Sequence, residues 1–367
     1  MAEPAERIDP VIHICDYNSE IRVVPENGGP WFTQRAFVVR QQNPGQAYAL
    51  VPGAECKELR HGGPVWGYLF IGYILPYNPG SMLFEHPTEE TVQRVAIKIL
   101  YKSVVDSERE RGSAEDPYRE IYRMQTIGDN HHVLGCIEAL CDENFLYIIS
   151  PYCEQKTLAE RLPLPEREAR EVFAQMLEAV SYLHERNICH ADIDPGNFFV
   201  KGDGRVLLGD LAMSFLIPPD GSVKHNRLFG KHPYWAPELC VKMRDPTTGD
   251  VATIYSAQRR DLWACMATLF NLLTGENFCE LPSWIDKKFN YCIQARALSN
   301  NPEMNLVQAA LQDAGEVNLD LSTLSQQILN MRPELLELFG NALAMNPDVR
   351  WTINEMQNCT WMTMALP

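Results

Sequence analysis

Between residues 166 and 185 the apolar side chains fall at Val172, Phe173, Met176, Leu177, Val180 and Leu183. That is one face of a 3.6-residue period and predicts an amphipathic helix. Earlier runs are shorter and follow no helical period. Val92, Val95, Ile97 and Leu100 suit a buried strand, and Leu146-Tyr147-Ile148-Ile149 suits another. One helical run interrupts them over 117–127, where Ile121 and Met124 share a face. Residues 11–15, 21–24 and 37–40 are short β-like runs separated by Pro, Gly and Asn, and Trp31, Phe32 and Phe37 among them ask for burial. Residues 243–253, carrying Asp-Pro-Thr-Thr-Gly-Asp, read as a polar loop. Strands therefore dominate the first part of the chain and helices the second, an α+β pattern.

Length and composition narrow this. At 367 residues the chain is long for one domain and suits two lobes. With 32 basic against 48 acidic residues, net −16, neither nucleic acid nor an anionic membrane is expected as a main partner. Eleven cysteines show no C-x-x-C and no paired zinc spacing, so reduced thiols of a cytoplasmic or nuclear protein are expected. The acidic, polar start shows no secretory signal, and the apolar stretch 264–273 is too short to span a bilayer.

The candidate chemistry centres on His190-Ala191-Asp192-Ile193-Asp194-Pro195-Gly196-Asn197. An Asp able to accept a proton, five residues before an amide oxygen able to ligate a hard cation, is what Mg²⁺-assisted phosphoryl transfer requires. The segment resembles the catalytic loop of protein kinases, and further landmarks follow that family's order. Val95-Ala96-Ile97-Lys98 matches the lysine strand. Glu120 lies in the 117–127 helix, where the family's glutamate pairs with that lysine. Leu208-Gly209-Asp210-Leu211-Ala212 resembles the metal-binding turn. Gly230-Lys231-His232-Pro233-Tyr234-Trp235-Ala236-Pro237-Glu238 resembles the end of the activation segment. Arg260-Asp261-Leu262-Trp263 resembles the start of the long buried helix, and Pro347-Asp348-Val349-Arg350-Trp351 a late helix whose Arg pairs with Glu238.

The resemblance implies a two-lobed kinase-like fold over about 61–365, with a β-rich first lobe over about 61–150 and a helical second lobe over about 154–365. Residues 1–60 match none of it and are expected to be a small β-rich extension packed on the first lobe. The resemblance implies ATP and Mg²⁺ as cofactors and a protein hydroxyl, Ser or Thr, as acceptor. Lys98 would hold phosphates, Glu120 would orient Lys98, Asn197 and Asp210 would ligate Mg²⁺, and Asp192 would accept the substrate proton. Ala96 and Phe199 would sandwich the adenine, with the Pro151 carbonyl and Cys153 amide on its edge and Ser150 at the gatekeeper position. Met124, His190 and Leu211 match the family's stacked apolar spine. The glycine hairpin is read at 73–83, where Gly80 in an Asn-Pro-Gly-Ser type II turn is the one glycine in place of three.

Three departures bear on activity. Asp194 replaces a Lys that normally faces the transferred phosphate, placing two carboxylates where one is usual, a repulsion of about 4 kcal/mol at 4 Å. Lys231 stands where a Thr is expected, so it can return the missing positive charge from the other side. Ala191 replaces the Arg that grips a phosphorylated activation segment, which makes Ser214 and Ser222 poor switch residues. An active kinase and a pseudokinase acting as a nucleotide-binding or scaffolding protein for a signalling partner both remain open.

Overall fold

The computed structural model describes residues 8–25, 29–39, 45–60, 65–128, 130–225, 229–241, 243–244, 251–280 and 331–366. The chain divides into two compact units, residues 1–130 with 134–154, and residues 131–133 with 155–367.

The first unit is built on one large sheet, joined by two helices. Its strands are β1 (His13–Pro25), β2 (Phe32–Val39), β3 (Gln46–Leu50), β4 (Lys57–Arg60), β5 (Val65–Asn78), β6 (Leu83–His86), β7 (Arg94–Tyr101), β8 (Glu138–Cys141) and β9 (Phe145–Pro151). Pairing runs β1–β2–β3–β5–β7–β9–β8, and β8 returns to β1 through His13↔Leu140 and Ile14↔Cys141, closing a ring. Strands β1, β2 and β3 are thus integral to this sheet, and the boundary expected near residue 60 falls at the end of β4, which pairs with β5. Ring closure leaves fewer unpaired sheet edges than an extension laid on a finished lobe would.

Both faces are buried along β3 and at Ala36 and Phe37 of β2. Phe37 and Tyr48 join Cys15, Val95, Ile97, Ile99, Leu140, Tyr147 and Ile149 in one cluster. Their neighbours Ala36, Ala47 and Ala49 join Val23, Tyr73, Leu75 and Phe84 in a second. Cys15 and Val23 would face the same way in a regular strand, yet they serve different clusters. A register shift between Asp16 and Ser19 turns the strand over. Trp31 and Phe32, expected inside, are 52 % and 41 % exposed. Arg22 covers the Trp31 ring at 4.9 Å and His86 lies 5.8 Å from Phe32, so each ring is partly screened by one polar neighbour rather than buried.

Helices α1 (Lys102–Glu110) and α2 (Pro117–Ile127) follow β7. Pro117 opens α2 and Asp116 caps it, accepting the Tyr118 amide at 3.0 Å. Ile121, Met124 and Ile127 form its buried face.

The second unit is helical around α3 (Glu166–Glu185), α4 (Ala257–Thr274) and α5 (Pro333–Ala342). In α3 the residues of the 3.6 period are all buried. Helix α4 is buried on nearly every side and packs against α3 and α5, with Phe270 and Phe339 rings 5.9 Å apart. Short strand pairs frame its loops: β10 (Ile188–Cys189) with β13 (Phe215–Leu216), and β11 (Phe198–Val200) with β12 (Val206–Leu208). The Asp-Pro-Thr-Thr-Gly-Asp stretch of the expected polar loop, 245–250, lies outside the described residues; at its two ends β15 (Met243–Arg244) and β16 (Val251–Ser256) pair antiparallel, and β14 (Ser222–His225) pairs with β16. Thr253 and Tyr255 alternate inward along β16, a period of two too short to stand out among its polar neighbours. Among the described residues no helix is long and apolar enough to cross a membrane.

Candidate active site

In the first unit, β7 sends Val95, Ile97 and Ile99 into the core, so Ala96 and Lys98 take the opposite face. Lys98 Nζ donates to Glu120 Oε2 of α2 at 2.8 Å, and both side chains are largely shielded. Lys98 pairs in register with Leu69 of β5 and Ile148 of β9, and Ala96 with Ser150. Pro151 ends β9, and Cys153 just beyond it is buried.

Gly80 does not sit where the sequence reading put it. Its turn joins the far end of β5 to β6, with the Gly80 amide donating to Asn78 Oδ1 at 2.9 Å. From Leu69, beside Lys98, to Asn78 is about 30 Å of strand. A turn there serves no phosphate held at Lys98. Nor is the turn type II as expected: the positive φ belongs to Met82, at 55°. The strand leading toward Lys98 begins at Val65, opposite Arg60 of β4. The connecting residues His61-Gly62-Gly63-Pro64 lie outside the described residues and contain the only two adjacent glycines near that point. Near Lys98 the strands approach closely, since a Cβ on Gly67 would lie 1.8 Å from Ile99 O.

The second unit gathers Asp192, Asp194, Asn197 and Lys231. Asp194 caps the short turn Pro195–Asn197, its Oδ1 accepting the Gly196 amide at 2.7 Å. Asn197 Nδ2 donates to the Asp192 carbonyl at 2.7 Å, to Asp192 Oδ2 at 3.1 Å and to Asp194 Oδ2 at 3.2 Å. Lys231 Nζ donates to Asp194 Oδ2. Burial first, then the Asp194 charge, push the Asp192 carboxyl up to about 6, with Lys231 opposing. Burial pulls the Lys231 ammonium down, but Asp194 and Asp192 outweigh it and hold it above the usual lysine range.

Gly209 carries Asp210 to this loop. Its amide donates to the Asn197 carbonyl and its carbonyl faces His190 Nε2, both at 2.9 Å. Asp210 itself is in the left-handed region, φ 60° and ψ 69°, and its carboxylate makes no hydrogen bond among the described residues. Leu211 and His190 are fully buried, Met124 is buried within the first unit, and Phe199 is half-buried on β11.

Arg350 holds Glu238 by two parallel bonds of 2.9 and 3.0 Å and also donates to the carbonyls of Ala344 and Arg259. The ring over its guanidinium, 5.0 Å away, is that of Trp263. Sequence reading also missed what Asp261 and Arg260 do. Asp261 accepts the amides of His190 and Ala191 at 2.9 and 3.1 Å and His184 Nε2 at 3.0 Å. Burial alone would raise its pKa, but His184 and Arg260 hold it low. An adjacent Arg-Asp pair at the head of an apolar run was the available signal.

The donors suit a hard cation. Asp192 Oδ1 is buried without a hydrogen-bond partner, the Asp210 charge acts on the same carboxyl, and Asn197 spends its Nδ2 on Asp192, which leaves its Oδ1 for a cation. Among the described residues no three His, Cys, Asp or Glu side chains cluster closely enough to hold a metal. Two protein oxygens fit Mg²⁺, which keeps waters and takes phosphate oxygens for the rest.

A family model described as Protein kinase domain matches residues 81–362. CBL-interacting protein kinase 4 of Oryza sativa subsp. japonica is 27% identical over 276 residues, 68% of this chain and 57% of that protein. The liver/testis phosphorylase b kinase gamma catalytic chain of Bos taurus is 28% identical over 191 residues, 50% of this chain and 45% of that one. The probable serine/threonine-protein kinase HSL1 of Saccharomyces cerevisiae is 32% identical over 197 residues, 52% of this chain and 12% of that one. The chain spans about half the length, or less, of these curated relatives.

Proposed function

The chain belongs to the protein kinase family, and from that premise we propose that it transfers the γ-phosphate of ATP to a protein Ser or Thr hydroxyl with Mg²⁺. The observation that carries this reading is Lys231 on Asp194, beside an Asp192 carboxylate with one oxygen unpaired. The family's lysine is missing from position 194, yet a lysine supplies its charge from the activation segment. Within the first unit Lys98 is held in a defined place by Glu120. Within the second, Asn197 and Asp210 would ligate the cation. Asp192 orients and accepts the hydroxyl proton. When bound, Mg²⁺ neutralises charge on the phosphates; the protein's own part is positioning. Every described cysteine is a free thiol, which supports a cytoplasmic or nuclear location.

A second reading, a nucleotide-binding or scaffolding pseudokinase, is favoured by the Asp194 carboxylate bridged to Asp192 through Asn197, a second negative charge where the family carries a lysine. Incubation with labelled ATP, Mg²⁺ and a generic protein acceptor, followed by phosphosite mass spectrometry, separates the two. Label that disappears in Asp192→Asn supports the kinase. ATP-induced thermal stabilisation with no label in either protein supports the pseudokinase.

A further inference from the structure

Arg260 is 4 % exposed at the head of α4, and among the described residues its guanidinium meets no carboxylate within ion-pair reach. A buried guanidinium is costly unless its donors are used. Its Nη2 donates to two carbonyls far apart in sequence, Ala191 O at 2.6 Å and Phe229 O at 2.9 Å. Its Nη1 lies 3.5 Å from the Tyr255 hydroxyl, and the Tyr255 ring is 5.5 Å away.

The joined segments are the ones that carry the reacting groups. Ala191 immediately precedes Asp192, and Phe229 stands two residues before Lys231. Ala191 is held from both sides, its amide by Asp261 Oδ1 and its carbonyl by Arg260. It is kept at φ 68°, a conformation an alanine rarely adopts unless its surroundings impose it. Gly230, at φ 85°, lets the two segments meet: a Cβ there would lie 2.6 Å from Ala191 O and 3.5 Å from Arg260 Nη2. Nearby, β14 ties Ser222–His225 to β16, and β16 runs directly into α4.

We propose that Arg260 is a positioning residue that fixes the loop bearing Asp192 against the segment bearing Lys231, and does so without any phosphorylated side chain. It supplies from α4 the cation absent at Ala191. The catalytic consequence rests on the kinase reading; the clamp itself does not.

The test uses the full chain and its Arg260→Met and Arg260→Lys variants, with hydrogen exchange and kinetics. Exchange of the Gly230 and Asp192 amides should rise at least tenfold in Arg260→Met while α3 amides stay protected. Arg260→Lys, which keeps the charge with a single donor point, should fall between, and it serves alone if the Met variant does not fold. Given turnover in the wild type, kcat should drop at least a hundredfold with the KM for ATP within threefold. Adding Lys231→Thr to Arg260→Met should then cost less than twofold more. Unchanged exchange at Gly230 and Asp192, or a fully additive Lys231→Thr effect, would overturn the proposal. A wild type without turnover sinks the kinase reading, and exchange still decides the clamp.

Discussion

Lys231 and Asp194 form an ion pair across 37 residues of sequence, and Asn197 bridges Asp194 to Asp192. The acid, its neighbour and the compensating cation therefore form one network in which each charge sets the others.

Lys231→Thr should lower kcat by 10²- to 10³-fold, the usual effect of losing one fixed charge at a transferring group. Asp194→Lys combined with Lys231→Thr should recover part of this. Recovery is incomplete because Asp194 also accepts the Gly196 amide and Asn197 Nδ2. Steady-state kinetics on both proteins checks it; a silent Lys231→Thr rejects the charge exchange.

Phosphotransfer should weaken as pH falls through about 6, where Asp192 gains its proton. The sign for stability is opposite. A carboxyl whose folded pKa lies above its unfolded value binds protons more readily when folded, so its ionised form costs stability at neutral pH. Asp192→Asn should thus abolish turnover at pH 7.5 while leaving the melting temperature equal or higher. A pH–rate profile flat from 5 to 8 contradicts the assignment.

Arg350→Ala should destabilise the protein by about 3–5 kcal/mol, the usual cost of stripping one partner from a buried pair. Glu238 would be left without its two donors. Denaturant midpoints measure this, and an unchanged midpoint would falsify it.

Asp210→Ala should remove the Mg²⁺-dependent part of any ATP-induced thermal shift, since Asp210 is the half-buried carboxylate brought to Asn197 through Gly209. Equal shifts with and without Mg²⁺ in the wild type rule out the metal role.

Phosphatase treatment should leave turnover unchanged. Ser214 is fully buried and its hydroxyl donates to Leu211 O at 2.7 Å, so it is no acceptor for a kinase in this fold. Loss of turnover that is restored by phosphorylation would oppose this.

By itself the sequence determined whatever rests on local period and short spacing. The α3 stripe, the β7 strand with Lys98 and the Asp192-to-Asn197 loop were legible because each lies within a few residues or repeats a fixed pattern, whereas the match of Arg350 to Glu238 came from the family resemblance. Only the tertiary structure decided which strand neighbours which. Gly80 looked like the phosphate hairpin because turn chemistry is local, while the pairing of β5 with β7 that carries it about 30 Å away is not. The closure of β1 onto β8 depends on partners more than a hundred residues distant, and the turnover of β1 at Asp16 on its register with β2. Arg260 is the plainest case. Its neighbours in sequence mark a helix start, but its acceptors are carbonyls of two loops, and a backbone carbonyl leaves no trace in side-chain pattern.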